Sequence, residues 1–225
     1  MSLTILMITL LSGSITSKDI ILLGDSRFCG IAYSLMGFKY TKVTKYYGTG
    51  SNIISPNSKN YAGHNIKVIA EVGASYYSFK KAGSDLSNGV KKILGSAKPG
   101  TFVLLWLGVN NLSSGSTFDY YKQLALQYKK LKFYAISVTG VVQSIEKSIS
   151  NETIKRFNID LKNKIQSSKI SNLRYKSILN NENPIEIASF GKVVGTINSS
   201  TSRDGLHYST ILDKVIFQVM TNGLK

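Results

Sequence analysis

The chain has 225 residues, 43% of them hydrophobic and 18% charged, which predicts one globular domain and excludes a disordered chain. No apolar run approaches the roughly 18 residues that a transmembrane helix needs. A single cysteine excludes an intrachain disulfide, and two histidines leave few ways to build a metal site, so we expect no metal or other cofactor. The net charge of +16 rests on 28 Lys and Arg, of which only four are arginines and none lies in a long basic run, and this disfavours specific nucleic-acid recognition.

The first 17 residues contain no charged side chain. An apolar stretch from Leu3 to Leu11 is followed by the small residues Ser12, Gly13 and Ser14, a pattern typical of a secretory signal peptide, although no Lys or Arg lies near its start. The segment also fits a core strand or helix of the mature fold. We expect a signal peptide over residues 1–17 and a single domain over 18–225, hence a secreted or cell-surface protein, with a cytoplasmic protein as the alternative.

From Lys18 onward, short apolar runs alternate with amphipathic stretches. The apolar runs predict buried strands at Asp19 to Leu23, Lys67 to Val72, Thr101 to Leu107 and Leu131 to Val138. The amphipathic stretches predict helices capped by Ser84, capped by Ser116 with Asp119, opened by Asn151, and starting near Thr210 with Ile211, Val215 and Val219 facing inward. This alternation predicts an α/β fold with a mainly parallel, doubly wound sheet, whose active site lies at the carboxyl ends of the strands.

One segment breaks this alternation. Tyr46 to Asn65 is rich in Gly, Ser, Asn and Tyr and contains Pro56, and we expect it to form a long loop near the site.

A serine follows the first predicted strand, in the sequence Gly24-Asp25-Ser26-Arg27. A strand-to-helix turn would place the Ser26 hydroxyl at the carboxyl edge of the sheet, where a nucleophile is expected in such a fold. Taken alone, the tripeptide is better explained as an ordinary turn or helix cap. Arg27 is expected either to bind an anionic group or to pair with a local carboxylate, Cys29 to be a buried small side chain, and Trp106 to lie in the core.

A serine nucleophile needs a base, and the chain offers only His64 and His207. His207 follows Asp204 by three residues, so in a turn the carboxylate can accept the imidazole N–H and fix the tautomer. His64 has no acidic residue within six positions and lies in the predicted loop, so we expect it at the surface or at the rim of a substrate site.

Donors for an oxyanion are expected after two further strands. Gly108-Val109-Asn110-Asn111 follows the Thr101 to Leu107 strand and places a side-chain amide at its end, and Gly73 follows the Lys67 to Val72 strand with an unobstructed backbone N–H. Each also fits an ordinary turn, with Asn110 or Asn111 capping a loop.

These segments, together with Asp204-Gly205-Leu206-His207, resemble in order and separation the SGNH hydrolases, also called GDSL-type esterases and lipases, and most closely small bacterial members. The resemblance covers Lys18 to the C-terminus and implies a flavodoxin-like three-layer α/β/α sandwich. It implies that Ser26 is the nucleophile, His207 the general base and then acid, and Asp204 its orienting partner. The oxyanion hole would comprise the backbone N–H groups of Ser26 and Gly73 and the Asn110 side chain. Asn111 stands where the family usually has Asp, so we expect altered loop hydrogen bonding with activity retained.

The sequence thus predicts a serine ester hydrolase, of carboxylesterase or carbohydrate acetylesterase type, that works through an acyl-enzyme. The polar, tyrosine-rich Tyr46 to Asn65 segment would make a poor lipase lid, which favours short acyl groups on a small-molecule or glycan ester. The basic surface would add weak attraction to an anionic cell wall. The alternative, motivated by that surface and by Asn111, is a non-catalytic cell-surface or carbohydrate-binding protein that retains the fold; nucleic-acid binding is a third hypothesis, resting on charge alone.

Overall fold

A computed structural model describes residues 17–45 and 48–225 of the chain. Residues 1–16, which hold nearly all of the predicted signal segment, and Tyr46 and Tyr47 lie outside the described residues. Within the described ranges, no helix is both long enough and apolar enough to cross a membrane.

The main sheet has, in the described residues, seven strands in the order β2-β3-β4-β1-β5-β6-β7. β4, β1, β5, β6 and β7 run parallel, and β2 and β3 extend the sheet antiparallel at one edge. The strands are β1 (Asp19–Gly24), β2 (Thr41–Lys45), β3 (Gly48–Tyr61), β4 (His64–Glu71), β5 (Phe102–Trp106), β6 (Lys132–Ile136) and β7 (Leu173–Lys176).

Helices cover both faces of this sheet. They are α1 (Ser26–Met36), α2 (Tyr76–Lys80), α3 (Asp85–Gly95), α4 (Ser114–Gln127), α5 (Asn151–Ser168) and α6 (Thr210–Thr221). Successive side chains of a strand point to opposite faces, so in β1 Ile20 and Leu22 pack with α1 and α6 while Ile21 and Leu23 pack with α3, α4 and α5. Burial on both faces explains why β1 is a continuous apolar run and confirms the predicted three-layer α/β/α sandwich.

The predicted loop at Tyr46 to Asn65 is wrong, because most of this segment forms β3, which pairs with β4. β2 pairs with β3 only as far as Asn52, so in the described residues the rest of β3 has β4 as its one neighbour. Its residues 56–60 are exposed, and a strand paired on one side tolerates the polar residues that made the segment resemble a loop. Pro56 lies where the β3–β4 register shifts, between Ser55 and Lys59, which is where a strand accepts a residue without an N–H.

A second, three-stranded antiparallel sheet precedes α6 and was not predicted. It consists of β8 (Leu179–Asn180), β9 (Asn183–Ser189) and β10 (Lys192–Thr196). The hairpin between β9 and β10 turns at Phe190 and Gly191, both with positive φ.

Two helix predictions need correction. The N-cap of α4 is Ser113, three residues before the expected cap at Ser116, and the helix begins at Ser114. In α6, Ile211 is 74% exposed rather than inward, and Leu212 and Ile216 fill the core instead. Apolar residues lie in both frames of this helix, so periodicity alone could not choose the face that packs on the sheet.

Candidate active site

Ser26, Gly73 and Asn110 follow three neighbouring strands of the sheet. β1 pairs in parallel with β4 on one side and with β5 on the other, so the carboxyl ends of all three strands lie at one edge. Ser26 begins α1 directly beyond β1, Gly73 lies two residues beyond β4, and Asn110 lies four residues beyond β5. The topology therefore brings the predicted nucleophile and the predicted oxyanion donors to the same edge.

The turn between β1 and α1 holds Ser26 tightly. The Asp25 side chain caps α1 by accepting from the backbone N–H of Arg27 at 3.0 Å, and Ser26 is buried in the first turn of the helix. Backbone N–H groups in a first helical turn lack intrahelical acceptors, so the Ser26 N–H is available to a bound anion or oxyanion. A Cβ at Gly24 would lie 2.6 Å from the Trp106 carbonyl oxygen, so only glycine lets β1 approach β5 this closely before the turn.

His207 and Asp204 form a hydrogen-bonded pair in the segment that precedes α6. Nδ1 of His207 lies 2.7 Å from Oδ2 of Asp204, and the other carboxylate oxygen accepts from the backbone N–H groups of His207 and Leu206. Burial would raise the pKa of Asp204, but these hydrogen bonds and the His207 charge lower it to about 2. With Asp204 ionised, Nδ1 carries the proton and Nε2 is left as the acceptor, which is the tautomer that a general base needs.

The loop around this pair is cross-linked by polar contacts. Ser202 accepts from the Gly205 N–H at 2.9 Å and donates to the His207 carbonyl at 2.8 Å, and the Arg203 guanidinium donates to the Tyr208 carbonyl and lies 3.2 Å from Asp213. These contacts hold the backbone on either side of His207 and so orient its side chain.

The His207 segment lies against the turn that holds Ser26. Burial raises the pKa of Asp25 to about 6, and the charges of Arg27 and, to a smaller extent, His207 oppose that rise. The imidazole is therefore within electrostatic reach of the residue that precedes Ser26. The His207 segment and the Ser26 turn are also joined through Gly140. The Tyr208 hydroxyl donates to the Gly140 carbonyl at 2.9 Å, and Nη2 of Arg27 donates to the same carbonyl at 3.4 Å.

The Asn110 amide connects the ends of β5 and β4. Its Nδ2 donates to the Ala74 carbonyl at 2.9 Å, beside Gly73. A carboxamide has two N–H groups, so a second donor remains for a substrate oxygen. Gly73 has φ +74°, and no atom of the described residues lies within 4 Å of where its Cβ would be, so a substrate can approach its backbone closely.

Asn111 belongs to the turn that carries Asn110. Its backbone N–H donates to the Gly108 carbonyl at 2.9 Å, and its side chain is exposed. Gly108 has φ +146°, and a Cβ there would lie 2.7 Å from the Phe157 ring, so the turn requires glycine at this position.

The expectation for His64 is wrong. It is the first residue of β4, opposite Tyr61 in the β3–β4 pairing, and only 7% exposed. His64 therefore lies at the amino end of β4, whereas Gly73 and the site lie beyond its carboxyl end, at the opposite edge of the sheet. Burial and the Lys18 charge lower the pKa of His64, which keeps it neutral.

Arg27 does not bind a substrate anion, and it interacts with the local carboxylate of Asp25 through its charge and its backbone N–H rather than through a contact ion pair. The side chain is 2% exposed, so it is not available to bind a substrate anion, and no carboxylate within the described ranges lies in ion-pair contact with it. Its guanidinium instead lies over the rings of Trp106 and Tyr208, 5.8 and 5.6 Å from their centroids. Trp106 and Cys29 are both buried, as expected.

Sequence reasoning missed Tyr208, Arg203 and the Thr139–Gly140 segment. The contact between Tyr208 and Gly140 joins segments 68 residues apart, and no local pattern marks such a pair. The contacts of Arg203 with Tyr208 and Asp213 span only 5 and 10 residues, but they depend on how the loop folds. In the described part of the chain, no group of three His, Cys, Asp or Glu side chains could hold a metal ion.

No protein-family model matches the chain, and no protein of curated function matches it in sequence. Solved structures match its fold. A GDSL-like lipase from Bacteroides thetaiotaomicron is 14% identical with a TM-score of 0.54, over 92% of this chain and 89% of that one. A lipase/acylhydrolase from Enterococcus faecalis is 11% identical with a TM-score of 0.54, over 90% and 93%.

A family 3 carbohydrate esterase from Clostridium thermocellum is 14% identical with a TM-score of 0.51, over 91% of this chain and 94% of that one. Identity this low is evidence of a shared fold and not of a shared substrate. The matches cover 90–92% of this chain and 89–94% of these three hydrolases. The chain therefore has the fold of the SGNH hydrolases, also called GDSL-type esterases and lipases.

Proposed function

We propose that the protein is a serine ester hydrolase in which Ser26 is the nucleophile, His207 the general base and acid, and Asp204 the residue that orients His207. The observation that carries this proposal is the 2.7 Å contact between His207 and Asp204, on a loop packed against the turn that presents Ser26. A serine hydroxyl needs such a base before it can attack a carbonyl.

In the first half of the reaction, Nε2 of His207 takes the proton from Ser26 as Oγ attacks the ester carbonyl carbon. The negative charge that develops on the carbonyl oxygen is stabilised by the N–H groups of Ser26 and Gly73 and by Nδ2 of Asn110. The carbon–oxygen bond to the alcohol then breaks, and His207 gives its proton to the leaving alkoxide. The acyl group remains on Ser26.

In the second half, a water molecule replaces the alcohol. His207 takes a proton from the water as its oxygen attacks the acyl carbonyl, the same donors stabilise the second tetrahedral intermediate, and the carbon–Oγ bond breaks. His207 returns the proton to Ser26, which releases the acid and restores the enzyme. Asp204 stays ionised throughout, because its low pKa keeps it a carboxylate at any pH at which His207 can act as a base.

We further propose that the substrates carry short acyl groups, such as acetyl esters of a glycan. The surroundings of the site support this, because Gly73, Asn110 and Tyr77 are exposed and most of the segment expected to form a loop near the site is instead a polar strand, β3, paired with β4. Tyr77 lies four residues after Gly73, and an exposed tyrosine there would offer a stacking surface for a sugar ring. A series of p-nitrophenyl esters of increasing chain length should give its highest kcat/KM at acetyl or propionyl, and a maximum at long chains would contradict this.

The signal-like pattern over residues 1–17 supports export to the cell surface or medium, where the charge of +16 would favour weak binding to anionic cell-wall polymers. Sequencing the N-terminus of protein recovered from the medium of an expressing bacterium tests this. A new N-terminus near residue 18 is expected, and a chain that stays in the cells with Met1 intact would refute it.

The experiment that tests the proposed activity is hydrolysis of p-nitrophenyl acetate by the wild type, by Ser26→Ala and by the control Ser167→Ala. Ser167 is an exposed serine on α5 that hydrogen-bonds only to its own helix. We expect Ser26→Ala to fall to the background rate and Ser167→Ala to match the wild type. Equal rates in all three would refute Ser26 as the nucleophile.

A further inference from the structure

Arg27 is a buried cation that carries most of its hydrogen-bonding capacity unused. It is 2% exposed, its Nη2 donates to the Gly140 carbonyl, and within the described ranges its Nε and Nη1 have no hydrogen-bond partner. Its charge interacts with the buried Asp25 carboxylate, but two of its three nitrogen atoms have no acceptor in the described residues. Burying unpaired donors opposes folding, so stability alone does not account for this side chain. Its position suggests another role, because it directly follows Ser26.

Tyr208 occupies the equivalent place beside His207. Its ring lies against the Arg27 guanidinium, and its hydroxyl donates to the Gly140 carbonyl at 2.9 Å and lies 2.6 Å from the Thr139 hydroxyl. Arg27 and Tyr208 therefore meet in two ways, by cation–ring contact and through one shared acceptor. Both are buried, so solvent does not weaken either contact.

The shared acceptor is itself held in place. The Gly140 N–H donates to the Pro184 carbonyl at 2.6 Å, and a Cβ at Gly140 would lie 2.6 Å from the Asn151 side chain, so the backbone has little room to move. Gly140 belongs to the segment after β6, which carries no residue of the proposed catalytic set. It is a fixed point to which the Ser26 turn and the His207 loop are both attached.

We propose that Arg27 and Tyr208 are positioning residues that set the separation between Ser26 and His207 by bracing both against the Gly140 carbonyl. Adjacent Cα atoms are 3.8 Å apart, so fixing Arg27 against Tyr208 limits how far Ser26 and His207 can separate. Asp204 orients the imidazole within its own loop, whereas this brace relates that loop to the nucleophile. The inference rests on the proposed function, since it assigns Ser26 and His207 the roles given above.

The test compares Arg27→Met, Arg27→Lys and Tyr208→Phe with two matched controls. Tyr208→Phe keeps the ring beneath Arg27 and removes only the hydroxyl. The controls are Tyr120→Phe, a buried tyrosine of α4 whose hydroxyl has no partner in the described residues, and Arg156→Met, whose side chain is 76% exposed. For each protein we would measure the rate of fluorophosphonate labelling, kcat and KM for p-nitrophenyl acetate, and the melting temperature.

We expect Tyr208→Phe and Arg27→Met to lower kcat and the labelling rate by about 10- to 100-fold while KM changes less than about twofold, because misplacing a reacting group by an ångström costs that much. Arg27→Lys keeps a cation between the two rings and should recover part of the loss. The double variant Arg27→Met/Tyr208→Phe should lose less than the product of the single effects, because both act through one contact.

Wild-type rates in Arg27→Met and Tyr208→Phe, with wild-type protein labelled at Ser26, would overturn the brace and leave the proposed function intact. A lower melting temperature with unchanged kcat per folded molecule would also overturn it, because that result describes a purely structural role. Failure of the wild type to label at all would refute the proposed function, and the brace with it.

Discussion

Replacing Asp204 by Asn changes one atom of the site and tests the role of the His207 pair. One oxygen of the Asp204 carboxylate accepts from the two backbone N–H groups, and the other lies 2.7 Å from Nδ1 of His207. Asparagine can keep its carbonyl on the backbone donors, but its NH2 then faces Nδ1. The imidazole must accept there and carry its proton on Nε2, so it can no longer take the proton of Ser26.

The size of the effect follows from the exposure of Asp204. A fully buried aspartate in this role is worth about 10⁴-fold in kcat. The Asp204 side chain is 55% exposed, so water can solvate Nδ1 and some molecules recover the productive tautomer. We therefore expect a loss of about 10²- to 10³-fold, with a change in unfolding free energy of less than about 1 kcal/mol because exposed charge pairs add little to stability.

The assay is kcat/KM for p-nitrophenyl acetate together with thermal unfolding, with Asp119→Asn as the control. Asp119 is an exposed carboxylate on α4. A change below about 1 kcal/mol corresponds to at most about 4 °C in melting temperature for a chain of this size. If Asp204→Asn retained activity within about threefold of the wild type, the carboxylate would not be setting the tautomer, and the reasoning would be refuted.

Three further predictions follow from the same structure. Asn110→Ala should lower kcat for p-nitrophenyl acetate by about 10²- to 10³-fold at nearly constant KM, and an unchanged kcat would remove Asn110 from the oxyanion hole. Gly24→Ala places a methyl 2.6 Å from a neighbouring backbone carbonyl and should lower the unfolding free energy by about 1–3 kcal/mol or more. Gly30→Ala, inside α1, meets no atom of the described residues within 4 Å and should raise it by about 0.5–1 kcal/mol, so melting temperatures that shift in the same direction would contradict this. Burial raises the pKa of Asp25 and of Asp213 to about 6 from an ordinary 3.8. Between about pH 4 and 6 the folded state therefore holds protons that the unfolded chain has released. As the pH rises through that window, each group lowers the unfolding free energy by on the order of 3 kcal/mol. Urea unfolding at several pH values should therefore show a smaller loss for Asp213→Asn than for the wild type, and equal slopes would contradict the raised pKa.

The central strands could be predicted from sequence because burial on both faces makes them continuous apolar runs. β1 has no polar residue between Ile20 and Leu23, and it leads directly into a turn that only a small set of residues can make. β3 could not be predicted in this way, because its residues 56–60 are exposed and lie beyond the part that pairs with β2, so they need no hydrophobic pattern. β3 and β4 form a hairpin across a two-residue turn at Ala62 and Gly63, both with positive φ, but the Gly, Ser and Asn residues of β3 carry no alternating apolar pattern that would mark the strand.

The same division applies to the candidate site. Ser26, Gly73 and Asn110 could be proposed because each follows a predictable strand, and Asp204 and His207 because their contact spans three residues. The position of His64 was predicted wrongly because it depended on β3. The brace through Gly140 depends on contacts spanning 68 and 113 residues, and only the folded chain brings those residues together.

The central claim is that Ser26 is an activated nucleophile. The most direct measurement is intact and peptide mass spectrometry of the protein after exposure to a fluorophosphonate, with Ser26→Ala and His207→Ala in parallel. We expect one adduct per wild-type molecule, located on Ser26, no adduct on Ser26→Ala, and slow labelling of His207→Ala because the hydroxyl has lost its base. A folded wild-type protein that stays unmodified, or one labelled equally well without His207, would contradict the account.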